Sequence, residues 1–148
     1  MNVQADVSGF IDTGDVPFTS SGATTSGDDR FDGIGAAYTI IGLTGNDIIE
    51  VDDLNVDTVF GGAGNDTISG SRLDIMYGGS GDDTISNQYS FLSEGGFSDG
   101  GTGDDTLIGG GGNNLLLGGQ GHDTLTGKAG ADTLKGGSGD DKLKGGTG

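Results

Sequence analysis

The residues best placed to do chemistry are carboxylates that recur, with glycines, at a spacing of nine. From Gly61 the chain reads GGAGNDTIS (61–69), GGSGDDTIS (78–86), GGTGDDTLI (100–108), GGGGNNLLL (109–117), GGQGHDTLT (118–126), GKAGADTLK (127–135) and GGSGDDKLK (136–144), and it closes on GGTG (145–148). The shared pattern is Gly-Gly-x-Gly-x-Asp-x-apolar-x, with Asn114 in place of Asp and Lys128 in place of the second Gly. Weaker copies precede them: TTSGDDRFD (24–32), GIGAAYTII (33–41), GLTGNDIIE (42–50) and, after the extra Val51, DDLNVDTVF (52–60). GSRLDIMY (70–77) is one residue short but keeps Asp74 and Met76, while residues 1–23 and 87–99 break the pattern. A carboxylate beside several glycines offers oxygen ligands only: its own two atoms, and backbone carbonyls that glycine's permissive dihedrals can turn inward. Ligation of a metal cation by oxygen is the chemistry open to such a set.

Other chemistries find no support. With Cys 0, the chain has neither a disulfide framework nor a thiolate metal site. His122 is the one histidine, at position five of a repeat, and reads as a variable solvent-facing turn residue. Neither Gly-x-Ser-x-Gly nor His-Glu-x-x-His occurs, and Gly127-Lys128-Ala129 lacks the Ser or Thr and the upstream Gly of a phosphate loop. The expectation is that the protein is not an enzyme. Its formal charge of −17 argues against nucleic acid and anionic membrane surfaces, which attract basic patches. The longest apolar run, Leu115–Leu117, is far too short to insert into a membrane.

Composition alone points towards disorder. Gly accounts for 35 of 148 residues, and Leu, Ile, Val and Phe together for only 33. Glycine also loses more backbone freedom on folding than any other residue. What contradicts disorder is the eighth position: Phe31, Ile40, Ile49, Val59, Ile68, Met76, Ile85, Leu107, Leu116, Leu125, Leu134 and Leu143 are all apolar. Their neighbours at positions seven and nine are often Thr, Ser or Lys, which is the alternation of a short half-buried strand. The preceding Gly-rich residues, ending in Asn-Asp or Asp-Asp, are turn chemistry. Each nine is one turn plus one strand, and two nines make one coil. The fold class expected is all-β: a right-handed parallel β-roll, or β-solenoid, with 18-residue coils. Residues 1–23 form an N-terminal cap or linker, with Phe10, Ile11, Val16 and Phe18 available to cover the first coil, and 24–148 the roll, with a loop insertion at 87–99.

These units resemble the RTX nonapeptide repeat, the calcium-binding β-roll of secreted bacterial toxins, proteases, lipases and epimerases. The resemblance covers about residues 24 to 148 and is strongest from Gly61. It implies Ca²⁺ as the ligand and an extracellular setting, secreted or at the cell surface. Enzymes with such repeats carry a separate catalytic domain, and none is visible here. No conventional signal peptide is visible in residues 1–23, and the stop at GGTG lacks the usual C-terminal secretion segment. An uncapped end of this kind predicts either a fragment of a larger protein or end-to-end self-association.

Ca²⁺ takes six to eight oxygens at about 2.3–2.6 Å, so one turn supplies half a cage and the turn one coil away supplies the rest. If 87–99 fills one turn-plus-strand slot, the turns sort by side. One side collects Asp29, Asp47, Asp66, Asp83, Asp105, Asp123 and Asp141 at position six, each with Gly at position four. Candidate carbonyls there belong to Gly62 and Gly64, Gly79 and Gly81, Gly101 and Gly103, Gly119 and Gly121, and Gly137 and Gly139. The other side has Tyr38 or Asn114 where Asp is wanted, and keeps Asp57, Asp74 and Asp132 as weaker candidates. Seven stacked turns enclose six gaps, hence about six strong Ca²⁺ sites along one edge. Stacked carboxylates about 5 Å apart repel by roughly 0.8 kcal/mol per pair in water and about 3 at an effective dielectric of 20. The chain is therefore expected to fold when calcium binds.

The role expected is a structural scaffold module. Alternatives are a calcium-dependent filament, a surface-layer or adhesion subunit, and an ice- or polysaccharide-binding face. Thr67, Thr84, Thr106 and Thr124 form an outward rank that ordinary cross-strand Thr contacts explain, and only Thr44-Gly45-Asn46 matches the Thr-Gly-Asn turn of ice-binding relatives. Lys128, Lys135, Lys142 and Lys144 either protect an edge or contact an acidic glycan.

Overall fold

A typical strand, Thr58–Ala63, runs through the positive-φ Gly62 (119°) at position two and ends before Gly64 (133°) at position four. The chain bends there, and the next strand, Thr67–Gly70, starts on the opposite wall. The computed structural model describes residues 25–28, 30–33, 39–51, 55–71, 73–87 and 94–148. The predicted N-terminal cap, Asp29 and Tyr38 lie outside the described residues.

Among the described residues, fourteen strands alternate between two seven-stranded sheets. One sheet holds β1 (Thr25–Ser26), β3 (Thr39–Thr44), β5 (Thr58–Ala63), β7 (Ile75–Ser80), β9 (Glu94–Thr102), β11 (Asn113–Gln120) and β13 (Thr133–Ser138), in that order. The other holds β2 (Arg30–Gly33), β4 (Ile48–Val51), β6 (Thr67–Gly70), β8 (Thr84–Asn87), β10 (Thr106–Gly110), β12 (Thr124–Ala129) and β14 (Lys142–Thr147). Every pairing is parallel, and Thr106 opposes Thr124 while Leu116 opposes Leu134, an 18-residue step. The fold is a parallel β-solenoid, as the nine-residue period predicts.

Position eight builds the core. Ile40, Ile49, Val59, Ile68, Met76, Ile85, Leu107, Leu116 and Leu125 are buried in one column between the sheets, flanked by Phe31 and Leu134. Val51, the residue that looked like an insertion, is buried in the same column. Leu143 is 49% exposed at the far end.

The irregular segment 87–99 supplies a full strand. β9 lies between β7 and β11, pairing Phe97 with Ile75 and Leu115, and Ser98 with Met76 and Leu116. It occupies one slot of its sheet, so the units after it keep the same sides as those before it.

Candidate metal centre

Six turns that run from the first sheet to the second are wholly among the described residues: 42–47, 61–66, 78–83, 100–105, 118–123 and 136–141. They stack along one edge, with the turn at Gly27 and Asp28 ahead of them, through Gly27 N–H to Thr44 O at 2.6 Å and Asn46 N–H to the Asp28 carboxylate at 2.8 Å. The position-six aspartates form a ladder. The N–H of Asp47 donates to Oδ1 of Asp66, that of Asp66 to Asp83 and that of Asp83 to Asp105, each at 2.8 Å. Asp105 donates to Asp123 at 2.9 Å and Asp123 to Asp141 at 3.0 Å. Each carboxylate thus spends one oxygen holding the previous coil.

The second oxygen is the informative one. Oδ2 of Asp66, Asp83, Asp105 and Asp123 is buried and accepts no hydrogen bond. A buried carboxylate oxygen without a partner costs free energy, so a row of four calls for a cation. Each carboxyl folds back over position one of its own turn. A Cβ on Gly61, Gly78, Gly100 or Gly118 would lie 2.2–2.3 Å from that same Oδ2. The first glycine of the motif is therefore required by space; those at positions two and four take positive φ as well as standing close to the preceding coil.

The carbonyls at positions two and four face the following coil. A Cβ on Gly79 would come 2.1 Å from Gly62 O, and one on Gly101 2.2 Å from Gly79 O. Gly81 stands in the same way against Gly64 O, Gly103 against Gly81 O, Gly121 against Gly103 O and Gly139 against Gly121 O. Gly119 approaches Gly101 O and Gly137 approaches Gly119 O. No group of three or more His, Cys, Asp or Glu side chains converges among the described residues. A cation shell on this edge must therefore combine carboxylate oxygen with backbone carbonyl oxygen, which suits a hard ion such as Ca²⁺ rather than one that prefers nitrogen or sulfur.

Electrostatics agree with this. Burial pushes the Asp83 carboxyl up to about 7 and that of Asp105 up to about 6; the backbone N–H from the preceding coil opposes the rise and neighbouring aspartates add to it. Burial raises Asp66 and Asp123 as well. Without a cation the row resists ionisation.

A second ladder was missed in the sequence. At position five, the N–H of Asn65 donates to the Asn46 side chain, Asp82 to Asn65, Asp104 to Asp82, His122 to Asp104 and Asp140 to Nδ1 of His122 at 2.9 Å. It runs opposite to the aspartate ladder, towards the earlier coil. His122 is exposed, as expected, but it is also a rung, with Nδ1 as acceptor. The signal was available: position five on this edge reads Asp, Asn, Asn, Asp, Asp, His, Asp, all acceptors, whereas on the other edge Ala37, Val56 and Ala131 hold it beside a single acceptor, Asn113, which takes the N–H of Ala131 at 2.8 Å.

The opposite edge repeats the pattern in part. Asp57 N–H donates to Asp74 Oδ1 at 2.9 Å, and Asn114 N–H to Asp132 Oδ1 at 2.8 Å. Asp132 Oδ2 is buried without a hydrogen bond. The stack is interrupted at position one, where Val51 and Asn87 carry buried side chains in place of glycine.

Fold and edge together define a parallel β-solenoid that ligates cations through stacked, glycine-built turns. The chain belongs to the RTX calcium-binding nonapeptide repeat family, whose model matches four copies, at residues 54–72, 73–86, 97–125 and 117–148. No curated protein and no solved structure matches it. Repeats of this family bind Ca²⁺ at multiple sites, and the buried aspartates line the turns accordingly. The strands from Thr25 to Val51 precede the first matched copy and continue the same two sheets.

Proposed function

We propose that the protein is an extracellular structural module whose β-roll forms when about six Ca²⁺ bind along the edge carrying Asp29, Asp47, Asp66, Asp83, Asp105, Asp123 and Asp141. The observation that carries this reading is the row of buried, unpartnered Oδ2 atoms at Asp66, Asp83, Asp105 and Asp123. The carboxylates of Asp66, Asp83, Asp105 and Asp123 each join their own coil to the previous one and keep the second oxygen for the cation, which the position-two and position-four carbonyls would help to ligate. Bound Ca²⁺ supplies the positive charge that lets these carboxylates stack ionised at strand spacing. Asp57, Asp74 and Asp132 offer at most one or two further partial sites.

His122 serves the stack as a rung: its Nδ1 accepts the backbone N–H of Asp140. RTX repeats are typical of secreted or surface proteins, where millimolar calcium matches weak sites. Isothermal titration of the full chain with Ca²⁺ tests the reading. About six ions with one-edge variants removing them, and opposite-edge variants sparing them, would support it. A stoichiometry unaffected by Asp105→Ala would refute it.

A further inference from the structure

We infer that the Asn114 carboxamide is a built-in substitute for a cation, which closes one turn of the opposite edge without calcium. This rests on the reading of the aspartate turns as cation sites. The superposition of roles is atom by atom. In the aspartate turns Oδ1 accepts an N–H from the preceding coil and Oδ2 lies over the position-one glycine. In turn 109–114, Oδ1 of Asn114 accepts the N–H of Gly96 at 2.9 Å, and Nδ2 lies over Gly109, 2.9 Å from where a Cβ would stand. The nitrogen occupies the place of the unpartnered oxygen.

What that nitrogen touches completes the argument. It donates to Gly112 O at 3.1 Å and Gly111 O at 3.3 Å, in its own turn, and to Asp132 Oδ1 in the next coil at 3.2 Å. Three oxygens from two coils converge on one NH₂ group that is buried, Asn114 being 2% exposed. Two backbone carbonyls and a carboxylate from the adjacent coil are what a calcium turn would assemble. The amide orientation follows from the contacts: reversing it would face its oxygen towards three acceptors and its nitrogen towards an N–H. Gly112 holds position four, so its carbonyl also shows where the equivalent carbonyls of Gly64, Gly81, Gly103 and Gly121 point in the aspartate turns.

Asn114 is thus a specificity-determining residue: it sets which turns depend on calcium. Replacing it should convert the turn, and the converse replacement on the other edge should convert a calcium turn into an amide-closed one. The test measures Ca²⁺ stoichiometry by isothermal titration and stability by urea unfolding in saturating Ca²⁺, on the full chain. Asn114→Asp should bind about one more Ca²⁺ than the native chain. Asp123→Asn should lose calcium yet unfold at a higher urea midpoint than Asp123→Ala, because only Asn can donate to the Gln120 and Gly121 carbonyls. An unchanged stoichiometry in Asn114→Asp overturns the inference while leaving the calcium edge intact. So do equal midpoints for Asp123→Asn and Asp123→Ala, which keeps the test open if Asn114→Asp fails to fold. A native chain that binds no calcium overturns both readings, so the two failures are distinguishable.

Discussion

At Gly100 the missing side chain lets the Asp105 carboxyl lie across its own turn, since a Cβ there would come 2.2 Å from Oδ2. Gly100→Ala should therefore expel the carboxyl and destabilise the calcium-loaded fold by about 1–3 kcal/mol, read from urea unfolding. Gly145 is the control. It holds position one of the last unit with nothing within 4 Å of an added Cβ, so Gly145→Ala should be neutral or stabilising by about 0.4–1 kcal/mol. Position two gives the reverse case. Leu43 and Lys128 stand at position two, where the repeats from Gly61 otherwise have glycine, at φ 74° and 77°. A left-handed conformation costs a non-glycine residue about 1–2 kcal/mol, partly offset by glycine's own entropy. Leu43→Gly, which gives up a side chain already 42% exposed, should stabilise the loaded fold by about 0.5–1 kcal/mol in the same measurement. A destabilisation would show that Leu43 contributes packing the exposed side chain does not suggest.

At the scale of the strand, β9 shows where sequence reasoning stops. The repeats announce themselves because most carry glycines and an Asp at the same positions, and all carry an apolar residue at a fixed offset. That was enough to place the core column, both sheets and the sorting of the turns onto two edges. Segment 87–99 carries none of these marks, and its pairing is set by neighbours on both sides rather than by its own pattern. Hence Ser98 could not be read as a core residue, although it sits between Met76 and Leu116. Val51 was hidden for a related reason: an extra residue in a period looks like a bulge until the register shows it filling the core. Asn114 was visible as a missing Asp, but the donation of its amide needs coordinates. Ser98 also yields a prediction. Its hydroxyl is buried without a hydrogen-bond partner at the centre of an apolar column. Ser98→Ala should stabilise the fold by roughly 1–2 kcal/mol, measured by denaturant unfolding, because removing a buried unsatisfied group recovers its desolvation cost. A loss of stability would mean that the hydroxyl has a partner.

For the whole molecule, the one-sided edge explains how a chain with charge −17 can be ordered. At the proposed stoichiometry, about six Ca²⁺ would carry it from −17 to −5, and the affinity of the ions would become folding free energy. The same carboxylates set the pH response. In the metal-free fold Asp83 and Asp105 titrate near 7 and 6, above the value of about 3.9 for an unfolded Asp. Between pH 4 and 7 the metal-free fold thus holds more protons than the unfolded chain, so its stability increases as pH falls and is lost as pH rises through these values. In chelator, acidification from pH 7.5 towards about 4.5 should increase β content, seen by circular dichroism, while the same protons should weaken calcium binding. The central claim is that calcium supplies the stability the thin core lacks. Far-ultraviolet circular dichroism of the full chain at neutral pH, in excess chelator and then in millimolar Ca²⁺, tests it most directly. The spectrum should be disordered in chelator and become β on adding calcium; a β spectrum already complete in chelator would mean that the fold does not need the ion.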